Sequence, residues 1–465
     1  MKKTLWILSE ERPKIEPIRY ILEKFSSDQN LTYNLSDLKV IPLQNEVGDF
    51  SFWYEIIGYT CSEVERVLLR IISGSSSFID FLIFYQEGMP HDGDRPLFLV
   101  EETKTDDSES RNTGIFQRAS KFVYAELHYP KVDLNIFYNL QVEQKDFQTG
   151  TNLFGTRCLA TIGVKIAGKL LDPKLNKPFK NLEEMIDFKN SMKKAPKGNV
   201  PILIEIVGAE LRVSGKLLKG DSLSNDPNIG ALTLIGATAR RLGWTGDIIV
   251  TKHGLSQRHL GSRNKFVRIA SAIGMSLEGL KMPKSGLLEP YWHYNMTGEK
   301  LATIFVHIVV TSFTDSRSIF ENHAGSEKGY FITSDNSFLP LQKYVSGVSP
   351  RKSLDIPDLI ILNSSASQVI NIEGKIFSEM ELGIQTLLNY DDIEREYIRR
   401  YYPGMEIERS LVLFGSKIEK FDKAPVGLIL NENGKILVGK SSPSLFIEAL
   451  NGLIKFWKDT TPVHF

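Results

Sequence analysis

The chain has 465 residues, 42% hydrophobic, 24% charged and 10% aromatic, which is the composition of a globular protein of about two or three domains. Its 56 basic and 56 acidic residues cancel, so no global charge marks a nucleic-acid binder and any polyanion footprint must come from local clustering. Two cysteines, Cys61 and Cys158, are too few for a disulfide framework or a cysteine-based zinc site.

The N-terminal run M-K-K-T-L-W-I-L is too short in apolar residues for a signal peptide, and no stretch approaches the length of a membrane span. A cytoplasmic location is expected. Residues 4–8 predict a strand, and Lys14–Phe25 an amphipathic helix. The spacing of Val64, Val67, Leu68, Ile71 and Ile72 predicts a second helix over Cys61–Ile72, with Ser62 and Glu65 as a capping box. Next comes S-G-S-S-S-F-I-D-F-L-I-F-Y, a turn and an apolar strand carrying Asp80. After a Gly- and Pro-containing loop, L-F-L-V-E-E-T-K predicts a strand ending in Glu102, Thr103 and Lys104. A polar loop, a helix running to Tyr129-Pro130 and a strand V-D-L-N-I-F-Y follow.

The middle of the chain is lysine-rich over residues 165–200 and includes a predicted helix, N-L-E-E-M-I-D-F-K-N-S-M-K-K. A boundary is expected at A-P-K-G, then a strand P-I-L-I-E-I-V and a helix Ala231–Leu242 stopped by Gly243. Residues 251–268 hold five Lys/Arg, two histidines and no acid. Residues 301–312 predict an apolar strand and 346–353 a linker. The stretch I-P-D-L-I-I-L-N-S-S-A-S-Q-V-I-N-I-E-G-K, ending at Lys375, reads as two apolar strands joined by a polar turn. A helix to Tyr402-Pro403, a strand S-L-V-L-F, a hairpin turning at Asn433-Gly434 and a helix Pro443–Lys458 close the chain.

Two parts of this order carry chemistry. Alternation along a strand puts Glu373 and Lys375 on one face and Gly374 on the other, and a hairpin brings Asp358 to their side. Asp80, Glu102 and Lys104 repeat the arrangement, and each copy continues through a helix that opens on Gly-Ile and a glutamine, Gln117 or Gln385. From lysine to the Tyr-Pro proline is 26 residues in one copy (104 to 130) and 28 in the other (375 to 403). Acid to glutamate is 22 residues from Asp80 to Glu102 and 15 from Asp358 to Glu373, which fits a longer loop in the first copy. Two acids with one amine suit Mg²⁺, which takes carboxylate oxygens and keeps several waters, with a cation to orient a water or steady developing charge. The competing reading of either triplet is a cross-strand Glu–Lys pair on an exposed edge.

The acid, apolar run and E-x-K resemble the PD-(D/E)XK nuclease superfamily, which includes many Type II restriction endonucleases. That resemblance implies a mixed α+β fold with two restriction-endonuclease-like domains, each a mixed sheet flanked by helices. It gives residues 1–198 and 346–465 as nuclease-like domains and 199–345 as a DNA-recognition region. It implies Asp80, Glu102, Lys104, Asp358, Glu373 and Lys375 as catalytic residues, with the four carboxylates binding Mg²⁺. Gln117, Gln385 and Glu65 (or Glu63) are possible auxiliaries. Arg111, Arg118 and Lys121 are candidates for phosphate contacts, and Glu101 is expected to face away from Glu102's side.

For DNA binding, the basic stretch offers Lys252, Gln257, Arg258, Arg263 and Lys265, cations for phosphates and Arg or Gln for base edges. The histidines show no metal-ligand spacing, and no P-loop, Rossmann or methyltransferase motif is present. The expected activity is Mg²⁺-dependent, site-specific cleavage of double-stranded DNA to 5′-phosphate ends, with one strand per centre. Two centres in one chain suit a monomer on a non-palindromic site, whereas a homodimer needs only one per chain. A separate methyltransferase in the host is the expected companion. A degenerate copy serving a homodimer, a nuclease without sequence specificity and a non-catalytic DNA-binding protein are the alternatives.

Overall fold

Strand β1 (Lys3–Ser9) is buried along six of its seven residues, as a central strand covered on both faces must be. The computed structural model describes residues 3–74, 78–103, 114–139, 149–169, 176–192, 202–215, 227–261, 265–283, 290–294, 298–323, 328–342, 354–415, 423–460 and 462. Helix α1 (Ile15–Asp28) buries Ile18, Ile21, Leu22 and Phe25, the stripe its sequence predicts. Strands β2 (Tyr33–Gln44), β3 (Phe50–Cys61) and β4 (Val64–Ile71) follow, β2 to β3 and β3 to β4 antiparallel and β4 parallel to β1. The helix expected over Cys61–Ile72 is therefore a strand. Val64, Val67, Leu68, Leu69 and Ile71 are buried. Pairing on both edges and apolar cover on both faces override a spacing that also fits a helix.

The chain divides into two compact units. Unit 1 is built from residues 1–72, 86–89 and 294–465, and unit 2 from 73–85 and 90–293. This differs from three consecutive segments with boundaries at 198 and 345. The chain leaves unit 1 for a long excursion and returns, which a residue-by-residue search for linkers does not register. At the excursion's base, β5 (Ser73–Gly74) pairs with a strand whose residues, Trp292 and His293, are its last.

Unit 2 contains one arrangement twice. In the first, β6 (Phe81–Gln86) pairs antiparallel with β7 (Phe98–Thr103). Helix α2 (Gly114–His128) leads to β8 (Asp133–Tyr138), parallel to β7, and α3 (Gly150–Thr161) leads to β9 (Lys165–Gly168), parallel to β8. After α4 (Leu182–Ser191), β10 (Leu203–Val207) pairs antiparallel with β11 (Glu210–Ser214). Helix α5 (Pro227–Arg241), β12 (Asp247–Thr251), α6 (Lys265–Ala272) and β13 (Met275–Leu277) complete the same sequence of turns, both later pairings parallel. The two modules meet at α2 and α5, where a Cβ on Gly230 would lie 1.5 Å from the Phe116 carbonyl oxygen. Strand β14 (Trp292–His293) closes the unit against β5.

Back in unit 1, α7 (Lys300–Phe313) replaces the strand expected over 301–312. All ten residues from Leu301 to Val310 are buried, and a helix enclosed on every side carries no polar face to reveal its period. Strand β15 (Arg317–Glu321) and the hairpin β16 (Lys328–Ile332) with β17 (Phe338–Gln342) follow. Then come β18 (Leu359–Asn363), β19 (Gln368–Ile376) and α8 (Met380–Leu388), the helix continuing through a π-helical segment, Glu394–Ile398. Strands β20 (Glu406–Phe414), β21 (Val426–Leu430) and β22 (Ile436–Val438) finish a sheet ordered β15-β18-β19-β20-β21-β22. Within it, β18 to β19 is antiparallel while β19 to β20 and β20 to β21 are parallel. The C-terminal helix, Ser444–Lys458, packs on α7, and the Trp457 indole N–H donates to the Pro42 carbonyl at 2.8 Å. The fold is mixed α/β. No helix among the described residues is long and apolar enough to cross a membrane.

Candidate active site

The turn between β18 and β19 lets the two strands pair Leu359 with Ile372, which places Asp358 opposite Glu373. One Asp358 carboxylate oxygen accepts the Gly374 N–H at 2.8 Å. The Lys375 ammonium donates to Glu373 Oε1 at 2.7 Å and to the Gly374 carbonyl at 2.9 Å. The other Glu373 oxygen accepts from the buried Tyr390 phenol, carried by the turn after α8. Glu299, preceding α7, brings a carboxylate oxygen within 3.7 Å of the Lys375 Nζ. Gly374 faces the other way, into α7, where a Cβ would stand 2.4 Å from Thr303 Cγ2. Asp358, Glu373 and Lys375 thus converge as their spacing predicts. Gln385 is exposed on α8.

Electrostatics in this cluster follow from burial. Loss of solvent and the neighbouring Glu373 charge push the Asp358 carboxyl well above its usual range. Burial works against the Lys375 ammonium, but the charge and hydrogen bond of Glu373, with Asp358 and Glu299, hold it above its ordinary value. Beneath the site, Asn371 and Arg409 both bond the buried Glu394, at 2.8 Å and 2.7 Å, tying β19 and β20 to the π-helical segment.

The cluster in unit 2 is built on the same ladder but one residue out from expectation. Phe81 pairs with Val100, so the residue opposite Asp80 is Glu101. The Glu102 N–H donates to Asp80 at 2.9 Å, as the Gly374 N–H does to Asp358. Glu101 therefore corresponds to Glu373, Glu102 to Gly374 and Thr103 to Lys375. Glu102 points to the opposite face and accepts from the Asn139 amide at 2.8 Å, which corrects its expected place beside Asp80. The cation comes from α2: Lys121 bonds Asp80 at 2.9 Å and both Glu101 oxygens at 2.9 and 3.0 Å. Arg118 stands 3.7 Å from Glu101.

Burial and the Asp80 charge push Glu101 up to about 8, although Lys121 opposes them. Burial works against ionised Asp80 too, yet the Lys121 charge and hydrogen bond and the Glu102 N–H hold it below its usual range. The two clusters share carboxylates and backbone but exchange the side from which the cation arrives.

Several expected residues lie elsewhere. Lys104, Arg111 and Arg263 fall outside the described residues, as do the side chains of Gln117 and Lys265. Glu65 is exposed on β4, a strand where the sequence predicted a helix. Glu63 accepts from the Ser62 hydroxyl at 2.6 Å in an exposed turn. Gln257 spends its amide on the Lys281 backbone, accepting at 3.0 Å and donating at 2.8 Å. Lys252 and Arg258 are exposed.

Comparison of the chain with protein-family models, with curated proteins and with solved structures returns no match. Among the described residues one further ligand-type group converges, His307, Glu321 and His323, which the sequence reading missed because helix α7 and strand β15 bring together residues without a motif spacing. Glu321 already binds Arg12 at 2.6 Å and Lys14 at 3.2 Å, and two cations on the only carboxylate oppose a metal ion there. Burial, then Arg12, hold the buried His307 well below its ordinary value, and its Nδ1 lies 2.9 Å from Nε2 of the half-buried His323.

Proposed function

We propose that the protein is a Mg²⁺-dependent endonuclease of restriction type acting on double-stranded DNA, with one centre at Asp358, Glu373 and Lys375 and a second at Asp80, Glu101 and Lys121. One observation carries this reading. Two separate sheets present an acid before the first strand, bonded to the main chain of the second, with a carboxylate and an ammonium beside it. Structural ion pairs need no such repetition of acid, ladder and main-chain bond.

The Asp358 and Glu373 carboxylates fit the oxygen preference of Mg²⁺, and the ion would polarise a phosphoryl oxygen and its own water. Lys375 holds a proton and a positive charge beside both acids, and so can anchor a water or the phosphate. In unit 2, Lys121 has the same atoms within reach from a helix instead of a strand. Deep burial of Glu101 keeps water out on that side.

A second reading has an observation of its own: Lys121 and Arg118 together already balance the unit 2 carboxylates, which suits a cluster that only braces the fold. Plasmid cleavage separates the two. With Mg²⁺ the protein should linearise a plasmid, EDTA should abolish this, and Lys375→Ala and Lys121→Ala should each leave nicked circles, on opposite strands. Linear product from Lys121→Ala assigns the unit 2 cluster to bracing. No cleavage of any DNA by the intact protein removes the proposal.

A further inference from the structure

We infer that residues 202–277 are a third copy of the module, stripped of its acids, and that the loop 252–260 at its strand ends grips the phosphate backbone of DNA. This deepens the proposed function and rests on it for the choice of DNA as the polyanion. The copy is legible in the connections. The ladder β10-β11-β12-β13 is antiparallel, parallel, parallel, with α5 and α6 as crossovers, and β6-β7-β8-β9 has the same ladder with α2 and α3. Where β7 presents Glu101, β11 ends in Val213 and Ser214, and a Cβ on the following Gly215 would lie 3.1 Å from Leu232 Cδ2 of α5. Ile202 stands before β10. No carboxylate occupies either place among the described residues.

What the strand ends carry instead is cationic. The Gly215 N–H donates to the Thr251 carbonyl at 3.0 Å, so the loop leaving β12 begins at the end of the sheet where the other modules keep their acids. Open parallel sheets bind ligands at that end. The loop is fixed from within. His253 Nε2 donates to the Glu278 carbonyl at 2.9 Å while its Nδ1 accepts the Leu255 N–H at 3.0 Å. His259 Nδ1 accepts the Ser256 N–H at 2.9 Å, and Gln257 is clamped to Lys281. Lys252 takes a left-handed backbone, φ 54°, a conformation that costs energy in any residue but glycine. Lys252 and Arg258 stand exposed on this rigid loop, while Arg268, the last cation of the basic stretch, is buried. A preorganised pair of cations loses little entropy on meeting phosphates.

The test is binding of labelled duplex DNA in EDTA, where cleavage cannot interfere. The double variant Lys252→Glu/Arg258→Glu should bind at least about tenfold more weakly, and the neutral double variant Lys252→Gln/Arg258→Gln should lower the salt slope by roughly one to two units. The neutral pair also serves if charge reversal prevents folding, which circular dichroism will report. Unchanged affinity and slope overturn the inference, as does loss of heparin retention with DNA affinity intact. If the intact protein binds DNA through these residues but never cleaves it, the nuclease reading falls and this one stands.

Discussion

Glu101 and Glu373 occupy the same rung of two ladders, yet one is met by a lysine from a helix and the other by a lysine two residues along its own strand. The sequence V-E-E-T-K leaves open which glutamate faces inward, because alternation fixes relative faces and not the absolute one. Only the pairing of Phe81 with Val100 decides it. A signal for Lys121 was present, a cation between the buried Ser120 and Phe122, but its target lay on a strand end whose facing was unknown. Tyr390 left no trace, since a buried tyrosine reads as core. Tyr390→Phe strips a donor from buried Glu373 and should cost about 1–3 kcal/mol of stability, measured by denaturant unfolding; under the proposed mechanism cleavage at that centre slows too. A fully stable, fully active variant would show the phenol to be incidental.

The proton on Glu101 sets a pH dependence. Folded Glu101 keeps its proton to about 8, whereas an unfolded glutamate releases it near pH 4.3. The folded state therefore binds more protons across that window, and this group's contribution to stability falls as pH rises through it. A divalent ion needs the ionised form, so Mg²⁺ affinity should strengthen by up to about tenfold per pH unit below pH 8, for one proton released. Raised Asp358 pushes in the same direction. Calorimetric titration at pH 6.5 and 8.5 measures this, and a flat response argues against metal at these acids.

At the level of elements, the sequence was readable where one face meets solvent and obscure where neither does. Helix α1 and the C-terminal helix follow their apolar stripes closely, and the Asn433-Gly434 hairpin forms as its turn residues demand, with φ 88° at Gly434. Helix α7 was exchanged for a strand because it is buried on all sides and periodicity then carries no information, whereas the apolar spacing of β4 fits a helix although its residues pair as a strand. The same logic hid the third module, whose β-β-α-β order needs no catalytic letters. Its attachment is specific. At Gly230 the α5 backbone touches the Phe116 carbonyl, so Gly230→Ala should destabilise unit 2 by about 1–3 kcal/mol or more, seen as earlier thermal unfolding, while Gly93→Ala, where no atom lies within 4 Å of the added carbon and the backbone is not left-handed, serves as a control for glycine replacement.

Across the whole molecule, the proposed labour is divided among modules rather than among identical subunits: two with acids, one with cations. Two unlike centres would let a single chain address two antiparallel strands, the task for which a symmetric dimer uses one centre twice. They would also answer differently to substitution, since the cations of the two centres arise from different elements.

The excursion of the chain has a consequence for how the protein comes into being. Unit 2 emerges from the ribosome almost as one continuous segment and can begin folding while synthesis continues. Unit 1 cannot be completed until α7 and the strands around Glu373 have been made. If the proposal holds, the nascent chain carries the Glu101 cluster and the basic loop before Asp358, Glu373 and Tyr390 exist. Both strands would come under threat only once translation has passed Phe414, the end of β20, so the order of synthesis itself delays the full cutting power of the enzyme.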